Sequence, residues 1–285
     1  MGRLRIVVDG AADMPPEWKS MYDIDVLPLR VAFGDEIYTQ GPSFTPNDFY
    51  QMVQKKKMMP KSSLPSIGQI KEFYRSIAQK GDTILSIHIS GKLSGTLATV
   101  ESAARELASE LKIIVFDSEA GSAAQAFMAR EARIMERSGA QLPDILARLE
   151  AIRKKITIIF TLNTLEFAHL SGRINSLQKA IVSMLQVKPI VVLHEGLLDM
   201  AEKVRTRQRS LERVIQLVCQ RVGSRLVNIA VVHAADPQTA QDLLNKTRSI
   251  LNIKEAVLAE LSIPVAANLG PGAIGIVAYP VEEDS

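Results

Sequence analysis

A nine-residue stretch, His88-Ile-Ser-Gly-Lys-Leu-Ser-Gly-Thr96, collects small and hydroxyl-bearing residues. The β-branched run before it is typical of a buried strand, and the residues after it follow a helical pattern. The first N–H groups of a helix lack internal partners and carry partial positive charge. Ser94, Gly95 and Thr96 therefore predict a small anion-binding cradle. In the simpler alternative, Ser94 or Thr96 only caps the helix.

The order of predicted elements around this stretch indicates an α/β protein of two domains. Strands and helices alternate over residues 1–155, which predicts an N-terminal α/β/α domain with a parallel sheet and helices on both faces. Residues 156–285 add a hairpin near 188–204 and several helices, which predicts an α+β domain with a mixed sheet.

Acidic residues and Ser94 follow the predicted strands of the first domain. Asp9, Ser94 and Asp117 each stand at the carboxyl end of a strand, the edge where open α/β sheets bind ligands. Asp9, Asp13 and Asp117 are a candidate Mg²⁺ set. We favour the interpretation that these carboxylates cap turns and helices, and we predict no metal site.

Composition narrows the class of protein. The 285 residues are 47% hydrophobic, and no apolar run is long enough to cross a bilayer, so no stable membrane insertion is expected. The lone cysteine, Cys219, excludes an internal disulfide and suits the cytoplasm. Aromatic residues make up 5% of the chain and are not interleaved with basic ones, which argues against nucleic-acid binding.

The familiar catalytic signatures are missing. Residues 270–275 match GxGxxG, but a strand rather than a helix is predicted to follow them. The chain contains no P-loop and no GxSxG nucleophile elbow. The histidines form no HxxxH pair, and His88 and His233 are interpreted as structural. The residues themselves thus predict an anion cradle with no visible catalytic dyad and no cofactor.

Eight short motifs occur in the order found in one known family and span essentially the whole chain. Together they resemble the DegV family. The motifs are Asp9-Gly-Ala-Ala-Asp-Met-Pro15, Ser62-Ser-Leu-Pro-Ser66, Ser90-Gly-Lys-Leu-Ser-Gly-Thr96, Asp117-Ser118, Ser171-Gly-Arg-Ile174, Lys188-Pro-Ile190, Glu202-Lys-Val-Arg-Thr206 and Asn268-Leu-Gly-Pro-Gly272.

The resemblance implies a DegV-like fold and a lipid-binding protein rather than an enzyme. Such proteins hold one long-chain fatty acid between two domains and present its carboxylate to a separate ATP-dependent fatty acid kinase subunit, which makes acyl phosphate. The family's carboxylate contacts correspond to Ser62 and to Ser94, in the loop that includes Gly95 and Thr96. Asn268 stands where the family has a histidine; it can donate a hydrogen bond but carries no positive charge.

Two arginines complete the set of residues that the resemblance implies. Arg173 and Arg205 match family positions associated with the head-group region or with partner docking. Two other functions stay open on the sequence. One is an enzyme, a transferase or hydrolase, that acts on a small anionic substrate at the same cradle. The other is a regulatory protein that docks a partner through the two arginines.

Overall fold

The computed structural model describes residues 2–56, 58–174 and 187–281. Within those ranges the strands form three sheets. The strands are β1 (Leu4–Asp9), β2 (Ile24–Leu27), β3 (Arg30–Phe33), β4 (Glu36–Thr39), β5 (Lys61–Ser63), β6 (Thr83–His88), β7 (Lys112–Asp117), β8 (Thr157–Thr161), β9 (Lys188–His194), β10 (Leu197–Val204), β11 (Val227–His233), β12 (Ile253–Glu260) and β13 (Ile274–Pro280).

The described helices connect and cover these sheets. They are α1 (Trp18–Met21), α2 (Pro46–Lys56), α3 (Ile67–Ile77), α4 (Thr96–Glu106), α5 (Ala123–Arg137), α6 (Leu142–Lys155), α7 (Glu166–Ser171), α8 (Arg207–Val222), α9 (Pro237–Arg248) and α10 (Ile263–Leu269). A helix that the sequence predicts over 175–185 lies outside the described residues.

The first domain is built on a parallel sheet, as predicted. Its strand order is β2-β1-β6-β7, and all three pairings are parallel. Successive side chains of a strand point to opposite faces. Accordingly Val7 packs in the core under α3 and α4, whereas its neighbours Ile6 and Val8 pack in the core that includes Phe127 of α5.

The second domain is built on a mixed six-stranded sheet, again as predicted. The order is β10-β9-β8-β13-β11-β12, with a parallel pairing only between β11 and β12. One face carries α8 and α9. The other face shares a core with α5, so this helix lies between the two sheets. The division of the chain at residues 155 and 156 stays a prediction.

A small antiparallel sheet corrects two sequence predictions within residues 25–65. The pattern of residues 25–33 predicts one strand with an edge or bulge at Pro28. The structure has two strands there, because Pro28 separates β2 of the parallel sheet from β3 of the three-stranded sheet β4-β3-β5. The hairpin predicted between 25–33 and 36–39 is present as the pairing of β3 with β4. The loop predicted over 58–65 was wrong in part, since it contains β5. This short polar strand exists through its pairing with β3, where Ser62 lies opposite Val31, and such pairing leaves no periodic signal in the sequence.

Candidate functional site

A cavity lies where the carboxyl edge of the parallel sheet and strand β5 meet the mixed sheet. Its empty space of about 1040 Å³ includes the solvent at its mouth. The lining residues come from β5 and the loops after β6 and β7 on one side, and from the mixed sheet and α10 on the other. The cavity therefore lies between the two domains.

Most of the cavity wall is aliphatic. Strands of the mixed sheet supply side chains such as Ile158, Val232 and Val277, and the hairpin β9–β10 supplies Leu193 and Leu198. These residues point into the cavity because they alternate with residues that face α8 and α9 on the other side of the sheet. A wall of this kind favours an apolar guest.

Few polar side chains interrupt this wall, and four of them are predicted site residues. Ser62, Ser94, Arg173 and Asn268 all line the cavity. Gly95, Thr96 and Arg205 do not belong to the lining. Sequence reasoning missed two further hydroxyl groups, those of Ser63 and Ser122.

The turn that holds Ser94 combines the two interpretations offered by the sequence. The helix begins at Thr96, whose N–H donates to Ser94 Oγ at 3.3 Å, and the two hydroxyl oxygens lie 2.9 Å apart. Thr96 is fully buried, whereas Ser94 is half-buried and faces the cavity. The Ser94 hydroxyl thus helps to satisfy the helix terminus and also reaches the cavity.

Gly95 brings the Ser62 segment close to this turn. A Cβ atom at position 95 would lie 3.0 Å from Leu64 Cδ1, a distance tighter than most real contacts. Leu64 follows β5 directly, and its carbonyl oxygen accepts a hydrogen bond from Arg30 at 2.8 Å. A glycine at 95 therefore lets the chain after Ser62 pack against the start of α4.

Asn268 reaches the cavity from α10, a helix that the sequence analysis did not predict. Ser262 precedes the helix and Pro264 lies in its first turn, a combination that can signal a helix start. Seven mostly apolar residues gave no readable period. Asn268 Nδ2 donates to the carbonyl oxygen of Pro264 at 2.6 Å, so one of its two amide hydrogens is engaged within the helix.

A buried carboxylate, Asp13, lies behind the cavity wall. It accepts hydrogen bonds from Ser122 Oγ at 2.5 Å and from the N–H of Ser262 at 2.6 Å. Burial, the largest effect, raises the pKa of Asp13 to about 6, and the nearby Asp9 adds to the increase. Asp13 therefore connects two loops of the first domain to α10 of the second.

Asp9 and Asp117 behave as the turn-capping interpretation predicts. Asp9 accepts the N–H groups of Ala11 and Ile89, and Asp117 accepts those of Gly91 and Glu119. Across residues 2–56, 58–174 and 187–281, no group of three or more His, Cys, Asp or Glu side chains is arranged to hold a metal ion.

One group of side chains has the connectivity of a hydrolase triad. Ser86 Oγ lies 2.7 Å from His88 Nε2, and His88 Nδ1 lies 3.1 Å from Asp9 Oδ2. All three residues are fully buried, and the Ser86 hydroxyl also pairs with Tyr74 at 2.8 Å. None of the three lines the cavity. This group is a structural network, which confirms the interpretation of His88.

The two predicted arginines occupy different places. Arg173 is exposed, follows α7 and lines the cavity mouth, where its guanidinium bonds the carbonyl oxygen of Ser171. Its neighbour Ile174 forms a bridge with Leu198 of the hairpin. Arg205 is exposed in the turn between β10 and α8. The structure therefore brings Arg173, but not Arg205, to the cavity.

Comparison with known proteins decides the family. A family model described as an uncharacterised protein of the DegV family matches residues 3–281. The chain belongs to the DegV family. Protein DegV from Bacillus subtilis is 30% identical over 275 residues, which are 96% of this chain and 98% of that protein. The resemblance found in the sequence motifs is thereby confirmed.

Solved structures of DegV proteins share the fold and are described by their ligand. A DegV family protein from Thermus thermophilus, described as fatty acid binding, superimposes with a TM-score of 0.89 at 29% identity. The match covers 98% of this chain and 100% of that one. DegV from Bacillus subtilis, described as a fatty acid binding protein, gives a TM-score of 0.87 at 26% identity over 99% and 100%. Both relatives are thus described as proteins that bind fatty acids.

A helix that crosses a bilayer needs about 20 predominantly apolar residues. In the three described ranges, no helix has both the length and the apolar character needed to cross a membrane.

Proposed function

We propose that this DegV protein binds one long-chain fatty acid, with the acyl chain in the cavity and the carboxylate at Ser62 and Ser94. The observation that carries the proposal is the cavity itself, whose aliphatic wall is interrupted by few polar groups. The fatty-acid-binding relatives from Thermus thermophilus and Bacillus subtilis support it.

The energetics assign different tasks to the wall and to the hydroxyl groups. Burying a tail of about 15 methylenes at ~0.8 kcal/mol each gives on the order of 12 kcal/mol. A hydrogen bond from a hydroxyl group to a carboxylate adds about 1.5–3 kcal/mol. The tail therefore supplies most of the affinity, and Ser62, Ser94 and the first turn formed by Gly95 and Thr96 orient the head group.

The remaining polar residues fit the same arrangement. Asn268 is neutral, so the head-group region draws its positive charge from Arg173 at the mouth. In this proposal the fatty acid is the bound ligand and no further cofactor takes part.

The second part of the proposal concerns a partner. The chain has no P-loop, so a separate ATP-dependent kinase subunit supplies the γ-phosphoryl group. A carboxylate oxygen attacks that phosphorus, and acyl phosphate and ADP are formed. Arg173 and Arg205 are the candidate docking residues. A cytoplasmic location suits this reaction and the single thiol of Cys219.

The alternative enzyme has no observation in its favour. A transferase or hydrolase at the same cradle needs an accessible nucleophile and base. The Ser86–His88–Asp9 network offers that chemistry, but it is fully buried and outside the cavity.

Native mass spectrometry of the protein purified from cells tests lipid binding. The expected spectrum shows one long-chain fatty acid per chain, and a lipid extract identifies it. Ser94→Ala is expected to retain less lipid than Ser76→Ala, a matched control because Ser76 is an exposed serine on α3 that bonds only Phe73 O. A spectrum without lipid, together with no uptake of added palmitate or oleate, refutes the proposal.

A further inference from the structure

Ser90 joins the loop that carries Ser94 to the tip of the β9–β10 hairpin in the other domain. Its side chain is fully buried, and its Oγ donates to the carbonyl oxygen of Gly196 at 2.8 Å. Gly196 lies in the turn between β9 and β10. The contact therefore crosses between the two domains at the edge of the cavity.

The same serine also sets the backbone of its own loop. Its carbonyl oxygen accepts the N–H groups of Leu93 at 2.9 Å and Ser94 at 3.1 Å. Its N–H donates to Ala120 O at 2.8 Å, and its Oγ accepts the N–H of Lys92 at 3.2 Å. The backbone bonds form with any residue at position 90. The Ser90 side chain adds the bonds to the N–H of Lys92 and to Gly196 O, and these hold the turn that leads to Ser94 against the hairpin.

The hairpin turn is shaped for this contact. Glu195 and Gly196 have φ angles of 48° and 76°, the left-handed conformation of a tight two-residue turn. A Cβ atom at position 196 would lie 2.6 Å from Ser90 Oγ, so a side chain there would push the serine away. Lys92 Nζ adds a second bond to the turn, to Glu195 O at 2.8 Å.

The hairpin is also part of the cavity wall. Leu193 and Leu198 flank the turn and line the cavity. The bond between Ser90 and Gly196 therefore holds a piece of the acyl-chain wall against the loop of the head-group hydroxyl.

We propose that Ser90 is a positioning residue for the fatty-acid carboxylate. It acts through Ser94 and the hairpin turn and does not contact the ligand. The inference rests on the proposed function, because it concerns how the head group is received. The strength of a hydrogen bond depends steeply on its distance and angle. A displaced Ser94 therefore loses the carboxylate contact while the buried tail keeps its share of the affinity.

Comparison of two ligands with the same tail tests this role. Palmitate carries the carboxylate, and hexadecanol replaces it with a neutral hydroxyl. Ser90→Ala is expected to raise the Kd for palmitate about tenfold, which corresponds to a loss of about 1.4 kcal/mol of binding free energy. The Kd for hexadecanol is expected to change much less, so the ratio by which the protein prefers palmitate over hexadecanol falls.

A double-mutant cycle with Ser94→Ala separates positioning from a general loss of packing. If Ser90 acts through Ser94, adding Ser90→Ala to the Ser94→Ala protein does not raise the Kd for palmitate further. The inference is overturned if Ser90→Ala lowers the affinities for palmitate and hexadecanol by the same factor. It is also overturned if Ser90→Ala lowers the affinity for palmitate equally in the wild-type and Ser94→Ala backgrounds. A wild-type protein that binds neither ligand contradicts the proposed function instead.

Lys92→Ala keeps the test decisive if Ser90→Ala does not fold. Lys92 is exposed, and its side chain makes the second bond to the same turn. Its removal is expected to lower the preference for palmitate in the same direction and by a smaller factor. An unchanged preference in a folded Lys92→Ala protein counts against the positioning role.

Discussion

The carboxylate of Asp13 accepts the backbone N–H of Ser262 at 2.6 Å. This contact ties the first domain to the start of α10, the helix that carries Asn268 into the cavity. Asp13 also accepts Ser122 Oγ, and Ser122 itself lines the cavity. A single buried carboxylate thus supports the cavity wall from both domains.

Asp13 predicts a pH dependence of stability. Its pKa in the folded protein is about 6, above its ordinary value of 3.8, because burial disfavours the charged form. The folded state therefore holds the proton more tightly than the unfolded state. This stabilisation is complete below about pH 4 and is lost as the pH rises through 6. Its full size is about 3 kcal/mol, because each unit of pKa shift corresponds to about 1.36 kcal/mol.

Urea unfolding at a series of pH values measures this contribution. Asp13→Asn removes the titrating group and leaves an amide oxygen that can accept the Ser262 N–H. The free energy of unfolding of the wild type, minus that of Asp13→Asn, is expected to decrease between about pH 4 and pH 7. A difference that stays flat over this range would show that Asp13 titrates normally.

Removal of the Asp9 carboxylate is expected to lower the stability of the fold strongly. Asp9→Ala leaves the N–H groups of Ala11 and Ile89 without their acceptor and His88 without its partner. Each buried donor left without an acceptor costs about 1–3 kcal/mol, so the free energy of unfolding is expected to fall by about 3 kcal/mol or more. Asp48→Ala, which removes an exposed carboxylate at the start of α2, is the control and is expected to cost much less.

Val232 predicts a change in chain-length preference. The residue lines the cavity, so Val232→Phe fills space that the acyl tail would occupy. Each methylene that leaves the cavity costs about 0.8 kcal/mol of binding free energy. The longer chain of stearate loses more of these contacts than laurate does, so the ratio of the Kd for stearate to the Kd for laurate is expected to rise about tenfold or more. Laurate binding serves as the internal control for folding. An unchanged ratio of the two affinities would place the tail elsewhere.

Substitutions of Arg173 and Arg205 are expected to change two different quantities, the affinity for the fatty acid and the rate of its phosphorylation. Arg173 lines the cavity mouth, so Arg173→Glu is expected to raise the Kd for palmitate by repelling the carboxylate. Arg205 lies outside the lining, so Arg205→Glu is expected to leave the Kd for palmitate unchanged and to slow acyl-phosphate formation only by weakening the docking of the proposed kinase subunit. Titration calorimetry and a phosphorylation assay report the two quantities. Loss of palmitate binding in Arg205→Glu would contradict this division.

The sequence predicted those features whose signal is local. The spacing of Ser66 and Gln69 predicts a capping box at the start of α3. The box is present, since Ser66 Oγ accepts a hydrogen bond from the N–H of Gln69 and the Gln69 side chain accepts one from the N–H of Ser66. The glycine-rich run at 270–275 leads into β13 rather than a helix, as predicted. Its Gly270 and Gly272 adopt φ angles of 81° and 78°, which suit a tight loop.

The features that the sequence could not predict depend on contacts between distant residues. β5 is a strand only because Ser62 pairs with Val31, and α10 is too short for its period to show. Ser122 and Asp13 are 109 positions apart in the sequence, and Asp13 and Ser262 are 249 apart. Motif resemblance selected the cavity residues Ser62, Ser94, Arg173 and Asn268, but not the bonds that hold their loops in place.

A crystal structure of the protein with palmitate tests the central claim most directly. Continuous density for the tail is expected between Val232, Val277 and the hairpin, with the carboxylate within hydrogen-bond distance of the Ser62 and Ser94 hydroxyl groups. Palmitate bound elsewhere on the surface, or a cavity closed by side chains in the presence of saturating palmitate, would contradict it.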